Sequence, residues 1–427
     1  MSGTNGTSHN GVGAATESAA SKLDALVQIF DKNAKFLSSS SSQDLSGTSE
    51  AEQNARRSLL DASLEIQRLV ATPEDFIEQL QINYEHLAAF DWLTEFGVLN
   101  HIPINQTLSF EDVATSAKVP ADRLRRVVRM AATSNILQEP TPGYVAHSRL
   151  SAQIISDPTY LAWVRYVIKY GSTAAGHFAR ADKKWDHSKE KNHTAWNMAQ
   201  NVDEPLFVHV GKNKEMTADF AGYMKNMKKS EGLSLKHVLS GFDWASLGEA
   251  HVVDIGGSYG DYSILVASHY PSLRFTIQDL PETIEQAKQI LPTLDPAVAS
   301  RITFSAHSFW DSQPIRDADV FFLRRVLHDW PFAESQKILQ NLAEALKPGA
   351  VIVIMDAVLP VPGSRPARQE AMHRVRDMHM AQSLNARERE IGEWEELFNS
   401  TTPKLRLKSV NEPAGSQLSL LVATRDN

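Results

Sequence analysis

The segment of this chain that most restricts its fold is His251-Val-Val-Asp-Ile-Gly-Gly-Ser-Tyr-Gly260. A short, mostly apolar run leads into glycines at 256, 257 and 260, and a helical pattern over Asp261 to Tyr270 follows at once. Such a run reads as a strand buried on both faces, as in parallel sheets. Glycines at a strand-to-helix turn allow a tight reversal and close approach of a ligand to the backbone. Downstream the alternation continues. Arg274–Asp279, Ile302–Phe304, Asp319–Arg324 and Ala350–Asp356 read as strands. Pro281–Leu291 and Phe332–Leu346 read as helices, the second stopping before Pro348-Gly349. Leu405–Val410 and Gln417–Thr424 read as a closing antiparallel pair. Strands alternating with helices predict an α/β, Rossmann-like, doubly wound domain from 246 to 427.

Alone, a glycine-rich βα turn serves nicotinamide, flavin or adenosyl ligands equally. Two acids narrow the choice. Asp254 precedes the glycines, and Asp279 ends the next strand, roughly 20 residues past the turn, where a carboxylate suits two ribose hydroxyls. The turn lacks the full G-x-G-x-x-G, with Ser258 between Gly256 and Gly260. That disfavours a pyrophosphate and favours a compact adenosyl ligand. The bland reading is a plain glycine turn beside an N-capping acid.

The N-terminal half is helical. Residues 1–22 and Ser38–Ser49 are polar and Ser-rich, and Ser38–Gln43 reads as a linker. Leu23, Leu26, Val27 and Phe30 mark a short amphipathic helix between them, so 1–50 is expected to be a flexible leader with one short helix. Ala51–Val70 and Phe76–Phe96 read as helices, the latter ending at Gly97. A Ser109-capped helix, a second from Pro120, and a hairpin turning at Pro140–Gly143 outline a winged helix within 51–150. Arg123, Arg125, Arg126 and Arg129 make its second helix basic. That helix either enters a nucleic-acid groove or presents a salt-bridged face of a dimerisation module. The formal charge of −8 favours the second, because phosphate affinity needs clustered cations. Residues 151–245 form a helical connector rich in aromatics and histidines, among them Trp163, Tyr166, Tyr170, His177, Trp196 and Phe207. These are core, or they line a pocket for a flat apolar substrate.

The chain has no cysteine, which excludes disulfides, thiolate nucleophiles and cysteine metal sites. No stretch approaches the ~20 apolar residues of a membrane span, and no signal-peptide pattern opens the chain. A cytoplasmic enzyme is expected.

Four segments carry a family resemblance: Asp254-Ile-Gly-Gly-Ser-Tyr-Gly, Gln278-Asp-Leu-Pro-Glu, Leu323-Arg-Arg-Val-Leu-His-Asp-Trp-Pro and Met355-Asp-Ala-Val-Leu-Pro. In this order they resemble plant and fungal small-molecule O-methyltransferases over about residues 75–425. The resemblance implies S-adenosylmethionine as cofactor, a small-molecule hydroxyl acceptor, and a homodimer formed through the N-terminal domain. It implies neither a metal nor nucleic acid nor a membrane. The cofactor would be held by Asp254, Gly256, Gly257, Gly260, Asp279, Leu280, Ser308, Phe309 and Arg324. Here Arg324 stands where the family often has Lys, and Ser308 where it usually has an adenine-binding Asp. A serine hydroxyl accepts a weaker hydrogen bond than a carboxylate.

Methyl transfer to an oxygen needs that oxygen deprotonated, or nearly so, when it attacks. A phenol near pKa ~10 is mostly protonated at neutral pH, so a base helps. His328 lies just past the C-terminal end of a predicted strand, where doubly wound sheets bind ligands. The resemblance makes it the base, flanked by Asp356, in place of the usual Glu, and by Glu388. Asp356 is one methylene shorter and reaches less far. The bland readings are a locally bonded helix-start histidine at 328 and a helix-capping Asp329. His373 and His379, with Met372, Met378 and Met380, sit on a helix expected to line the acceptor pocket; a metal reading of that His pair is weak. An alternative within the fold binds the cofactor without consuming it and catalyses a pericyclic or cyclisation step.

Overall fold

In the computed structural model the described residues are 18–39 and 49–426. Of the expected Ser-rich stretches 1–22 and 38–49, residues 1–17 and 40–48, and with them most of the expected linker Ser38–Gln43, lie outside them. Two compact units are present: the described residues up to Ile82 together with Pro362–Met372, and Asn83–Val361 together with the described residues from His373 onward.

In the first unit, helices Ala19–Ser39 and Glu50–Val70 pack on each other. The first is longer than expected, because the apolar positions at Leu23–Phe30 are followed by Phe36 without a breaker. The second starts at a reciprocal capping box, Ser49 with Glu52, which satisfies two backbone donors. Gln369 Nε2 donates to Asp61 Oδ2 at 2.7 Å, and Ala367 N donates to Glu65 Oε1 at 3.2 Å.

In the second unit, Gly97 (φ +60) follows the helix Pro73–Glu95 in the left-handed conformation a glycine allows. Strands β1 (Thr107–Ser109), β2 (Gln138–Thr141) and β3 (Tyr144–Ala146) pair in the order β1-β3-β2 beside helices Phe110–Ala117 and Ala121–Ala132, the element order that a winged helix would have. Phe110, Leu124, Val128 and Val145 form its dry centre. Arg125 pairs with Glu111 at 3.1 Å and Arg129 with Glu139 at 2.7 Å, so two of the four basic residues are neutralised inside the module. The connector is helical from Arg149 to Gly241, and Tyr166–Ser172 takes a π-helical turn.

The catalytic half is a seven-stranded sheet. Strands β4 (Ala250–Ile255), β5 (Leu273–Asp279), β6 (Ile302–Ala306), β7 (Val320–Arg324) and β8 (Val351–Asp356) are parallel. A two-strand parallel pair, β9 (Val358–Leu359) with β10 (Arg389–Glu390), lies apart from it. Strands β11 (Leu405–Asn411) and β12 (Ser419–Arg425) close one edge antiparallel, giving the order β11-β12-β8-β7-β4-β5-β6. Neighbouring residues enter opposite cores. Val252, Phe322 and Val353 join one, while Val253, Phe321 and Ile352 join the other. This is the period-2 alternation of a sheet covered on both faces. The order reverses between β4 and β7, so the crevice at their C-terminal ends is the expected ligand position. No helix among the described residues is long and apolar enough to cross a membrane.

Phe321 is fully buried at the sheet centre. Phe321→Ala is expected to destabilise the protein by about 3–5 kcal/mol, read by chemical denaturation.

Candidate active site

The glycine turn leaves β4 with its backbone donors already engaged. Gly256 N and Gly257 N both donate to Gln278 O, at 2.9 and 3.0 Å, and Gly260 N donates to Gly257 O at 2.8 Å. Ser258 N donates to Asp279 Oδ2 at 2.9 Å. A turn built for pyrophosphate would aim such donors outward; this one instead offers close approach. A Cβ on Gly257 would stand 2.6 Å from Asp254 Cγ, and one on Gly260 (φ +78) 2.3 Å from Ile277 Cδ1. Asp254, beneath the turn, accepts from Ser263 Oγ at 2.6 Å. Burial, aided by Asp279, pushes its carboxyl up to about 7.

The expected cofactor residues fall into two groups. Asp254, Gly256, Gly257 and Arg324 line a cavity of about 610 Å³ at the switch point. Asp279, Leu280, Ser308 and Phe309 lie outside that cavity's wall. Asp279 O accepts from His307 N at 3.0 Å, which brings the second group together at the ends of β5 and β6. Asp279 Oδ1 accepts from Leu280 N at 2.8 Å, so both carboxylate oxygens are oriented and each keeps a free lone pair. The Phe309 ring stands 3.8 Å from where a Gly256 Cβ would be, which links the two groups. Ser308 Oγ accepts from Trp310 N at 3.3 Å. Leu280 is exposed. Gly260 opens the helix Asp261–His269 rather than facing the cavity. Arg324 lies 3.8 Å from the Tyr262 ring centroid, and its buried Nε has no hydrogen-bond partner among the described residues. Burial lowers its pKa to about 10, so it stays charged at neutral pH.

His328 sits in a 3-10 turn, Leu327–Asp329, just past β7, and it too lines the cavity. Its Nδ1 is 3.0 Å from Glu388 Oε1 and 4.0 Å from Asp356 Oδ1. A carboxylate at 3.0 Å accepts only from a protonated Nδ1, which leaves Nε2 as the basic atom. Asp329 Oδ1 is 3.5 Å from Nε2. Burial alone would lower the imidazolium's pKa, but Asp329, Asp356 and Glu388 outweigh it and raise it to about 9. Burial and the charge of Glu388 push Asp356 up to about 6. Glu388 is held below the usual range: burial opposes this, and the charge and hydrogen bond of His328 overcome it.

Arg389, absent from the sequence reading, holds this arrangement. It is buried on the short strand β10, next to Glu388. Nη1 donates to Leu327 O at 2.9 Å; Nη2 donates to Trp330 O at 3.0 Å and Ser335 Oγ at 2.8 Å. The guanidinium thus brackets the turn that carries His328. No local signal marks it, since its partners lie on a segment some 60 residues away. Asp329 is not the helix cap: Pro331 occupies the cap position of Phe332–Ala345, with no side-chain cap bond. On the far wall, Tyr166 and Tyr223 stack at 4.5 Å, and His379 and Met380 join them. Met372 and Met378 are exposed, and Trp196 and Tyr170 belong to the connector's core.

Residues 184–402 match an O-methyltransferase domain family. The chain is similar to O-methyltransferase VdtC of Byssochlamys spectabilis, 42% identical over 87% of this chain and 86% of that protein. It is also 42% identical, over 86% of its length, to the dual O-methyltransferase/FAD-dependent monooxygenase CTB3 of Cercospora beticola, and spans 43% of that longer protein. Among solved structures it resembles OxaC with a TM-score of 0.75, at 18% identity over 96% of this chain and all of that one.

Arg389→Met removes a buried, hydrogen-bonded cation and strands two carbonyls. It is expected to cost about 3–5 kcal/mol in a urea titration. A loss under about 1 kcal/mol would remove the bracing role.

Proposed function

The chain belongs to the S-adenosylmethionine-dependent O-methyltransferase family, and from that premise we propose that His328 is the general base that deprotonates an aromatic hydroxyl of a secondary metabolite. It is an O-methyltransferase acting on a small-molecule hydroxyl. The observation that carries the base assignment is the 3.0 Å contact between His328 Nδ1 and Glu388, which leaves Nε2 as the proton acceptor on a residue of the cavity wall. Glu388 fixes the tautomer and Asp356 adds charge behind it.

S-adenosylmethionine supplies the methyl group, on a sulfonium. The glycines leave room that any Cβ would fill. Asp279 has free lone pairs for ribose hydroxyls, Phe309 offers a ring face for adenine beside Ser308 and Leu280, and Arg324 offers an unpartnered Nε. With Asp254, Gly256, Gly257 and Gly260, these residues fit the cofactor. An aromatic acceptor suits the rings of Tyr166, Phe220 and Tyr223.

The acid–base match supports the same reading. A phenol near pKa ~10 gives its proton almost without cost to an imidazole whose conjugate acid lies near 9. His328, Asp356 and Glu388 offer atoms within 4.8 Å of one another. A proton on Nδ1 already satisfies that cluster, so turnover should survive exhaustive chelation.

In the same proposal, residues 51–150 form a homodimer, 151–245 shape the acceptor pocket and 246–427 hold the cofactor. The helix Pro73–Glu95 exposes Phe76, Ile77, Leu80, Tyr84 and Leu87, an apolar stripe that a second copy would cover. A cytoplasmic location fits the cysteine-free composition.

His328→Ala is expected to lower kcat by about 10²–10⁴-fold while S-adenosylhomocysteine still binds in calorimetry. Retained turnover would remove His328 from the reaction. The base works only when neutral, so kcat/KM should rise with pH up to about 9, where His328 loses its proton. Glu388→Gln deletes one stabilising charge and should move that rise to lower pH. Cofactor binding without S-adenosylhomocysteine release from any phenol, naphthol or polyketide-like hydroxyl would favour the pericyclic alternative.

A further inference from the structure

Arg324 ends β7 and packs against Tyr262, and Arg325 follows directly past the strand. Arg325 sits at φ +50, a conformation non-glycine residues adopt rarely. Its amide donates to Met355 O at 3.1 Å, which secures the corner to β8. Arg325 lines the cavity, and among the described residues no acceptor lies within hydrogen-bond or ion-pair distance of its guanidinium. Its charge acts on the carboxylates of Asp329, Asp356 and Glu388. It also reaches the far wall, where burial lowers the pKa of His379 with its help and raises that of Tyr223 against it.

Two further polar groups on the cavity wall are idle. His379 makes no hydrogen bond among the described residues. Burial first, then the charges of Arg325 and His328, lower its pKa to about 4, so it is neutral at physiological pH. Ser383 follows one turn later on the same helix, is 2% exposed, and has a buried Oγ without a hydrogen-bond partner among the described residues. Buried polar groups are ordinarily paired. A cation, a neutral imidazole and a hydroxyl, whose side chains find no hydrogen-bond partner among the described residues, surround one cavity beside the stacked Tyr166 and Tyr223 and describe the negative of a ligand: a flat ring bearing several oxygens, one of them anionic.

We propose that Arg325 reads the acceptor, and that the acceptor is a polyoxygenated aromatic carrying an acidic oxygen function, such as a carboxylate or an enolised carbonyl, beside the hydroxyl that is methylated. The guanidinium fork matches two adjacent oxygens in one plane. His379 and Ser383 then take oxygens farther along the ring system. The inference rests on the reading of the His328 side of the cavity as the place of methyl transfer.

The test uses the full chain saturated with S-adenosylhomocysteine, titrated calorimetrically with 3-hydroxy-2-naphthoate and with 2-naphthol. The two share a skeleton and a hydroxyl and differ in the adjacent carboxylate. The wild type should bind the carboxylate about 10- to 100-fold more tightly. Arg325→Gln should erase the difference with S-adenosylhomocysteine affinity unchanged, and Arg325→Lys should restore part of it. Equal wild-type affinities would overturn the proposal, as would a preference that survives in Arg325→Gln or a failure of both naphthols to bind. Loss of S-adenosylhomocysteine affinity in Arg325→Gln with the preference intact would also overturn it, assigning the arginine to the cofactor's carboxylate. His328→Gln separates the two readings: turnover retained in an assay with S-adenosylmethionine defeats the base assignment, whereas the carboxylate preference, read by the same titration on that variant, stands or falls independently.

Discussion

The contact between His328 and Glu388 is the interaction around which the catalytic half is arranged. Both side chains are buried, and burying an isolated charge costs several kcal/mol. The imidazolium persists because three carboxylates face it, and Glu388 persists as an anion because the imidazolium faces it. Neither residue could be there alone. Bringing them together requires two segments some 60 residues apart to meet with a precision of tenths of an ångström. Arg389 supplies the rigidity, since its guanidinium grips the carbonyls on either side of His328 while its own backbone follows Glu388. The short β9–β10 pairing, Arg389 opposite Val358, then fixes that backbone beside the end of β8, from which Asp356 projects.

The other half of the site relies on backbone geometry and carries little charge. The glycine turn satisfies most of its own amides, through Gln278 O, Gly257 O and the Asp279 carboxylate. What it offers a cofactor is proximity, secured by positions where a side chain would collide with Asp254 or Ile277. A ligand held this way gains from van der Waals contact, ribose hydrogen bonds and ring packing more than from phosphate recognition. This agrees with the incomplete glycine fingerprint at Ser258. The two halves meet at Gly256, which faces the cavity on one side and Phe309 on the other.

Much of this was legible in the chain because it is local. The β4 turn, the alternation of strands and helices, the capped helix at Ser109 and the hairpin at Pro140–Gly143 are each set by neighbours in sequence. The elements that escaped are set by distant ones. Arg325 gives no sign of its left-handed backbone, because that conformation comes from the corner between β7 and β8. Arg389 resembles any surface arginine until β10 buries it. Capping offered Asp329 a plain alternative role as a helix start; the fold gives that position to Pro331, and Asp329 Oδ1 lies 3.5 Å from His328 Nε2. The first helix outran its expected length because Ser38 and Ser39, which resemble linker, bond back to carbonyls of the preceding turn.

An Asp at 356, where the family resemblance leads one to expect Glu, has a physical consequence beyond reach. At 4.0 Å its oxygen is too far from Nδ1 for a hydrogen bond, whereas Glu388 at 3.0 Å makes one. The two acids therefore divide what a matched pair would share. Glu388 orients the ring and chooses the tautomer. Asp356, whose Oδ2 has no partner among the described residues and whose carboxyl is pushed up by burial, contributes field alone. A field falls off more gently than a hydrogen bond, so a displacement of a few tenths of an ångström at Asp356 changes little, while the same displacement at Glu388 loosens the imidazole. That asymmetry accounts for where the fold concentrates its bracing. Arg389 sits next to Glu388 in the chain, and Glu388 N is itself held by Asp377 at 3.0 Å. Among the described residues, the carboxyl of Asp356 receives only the amide of Ala357.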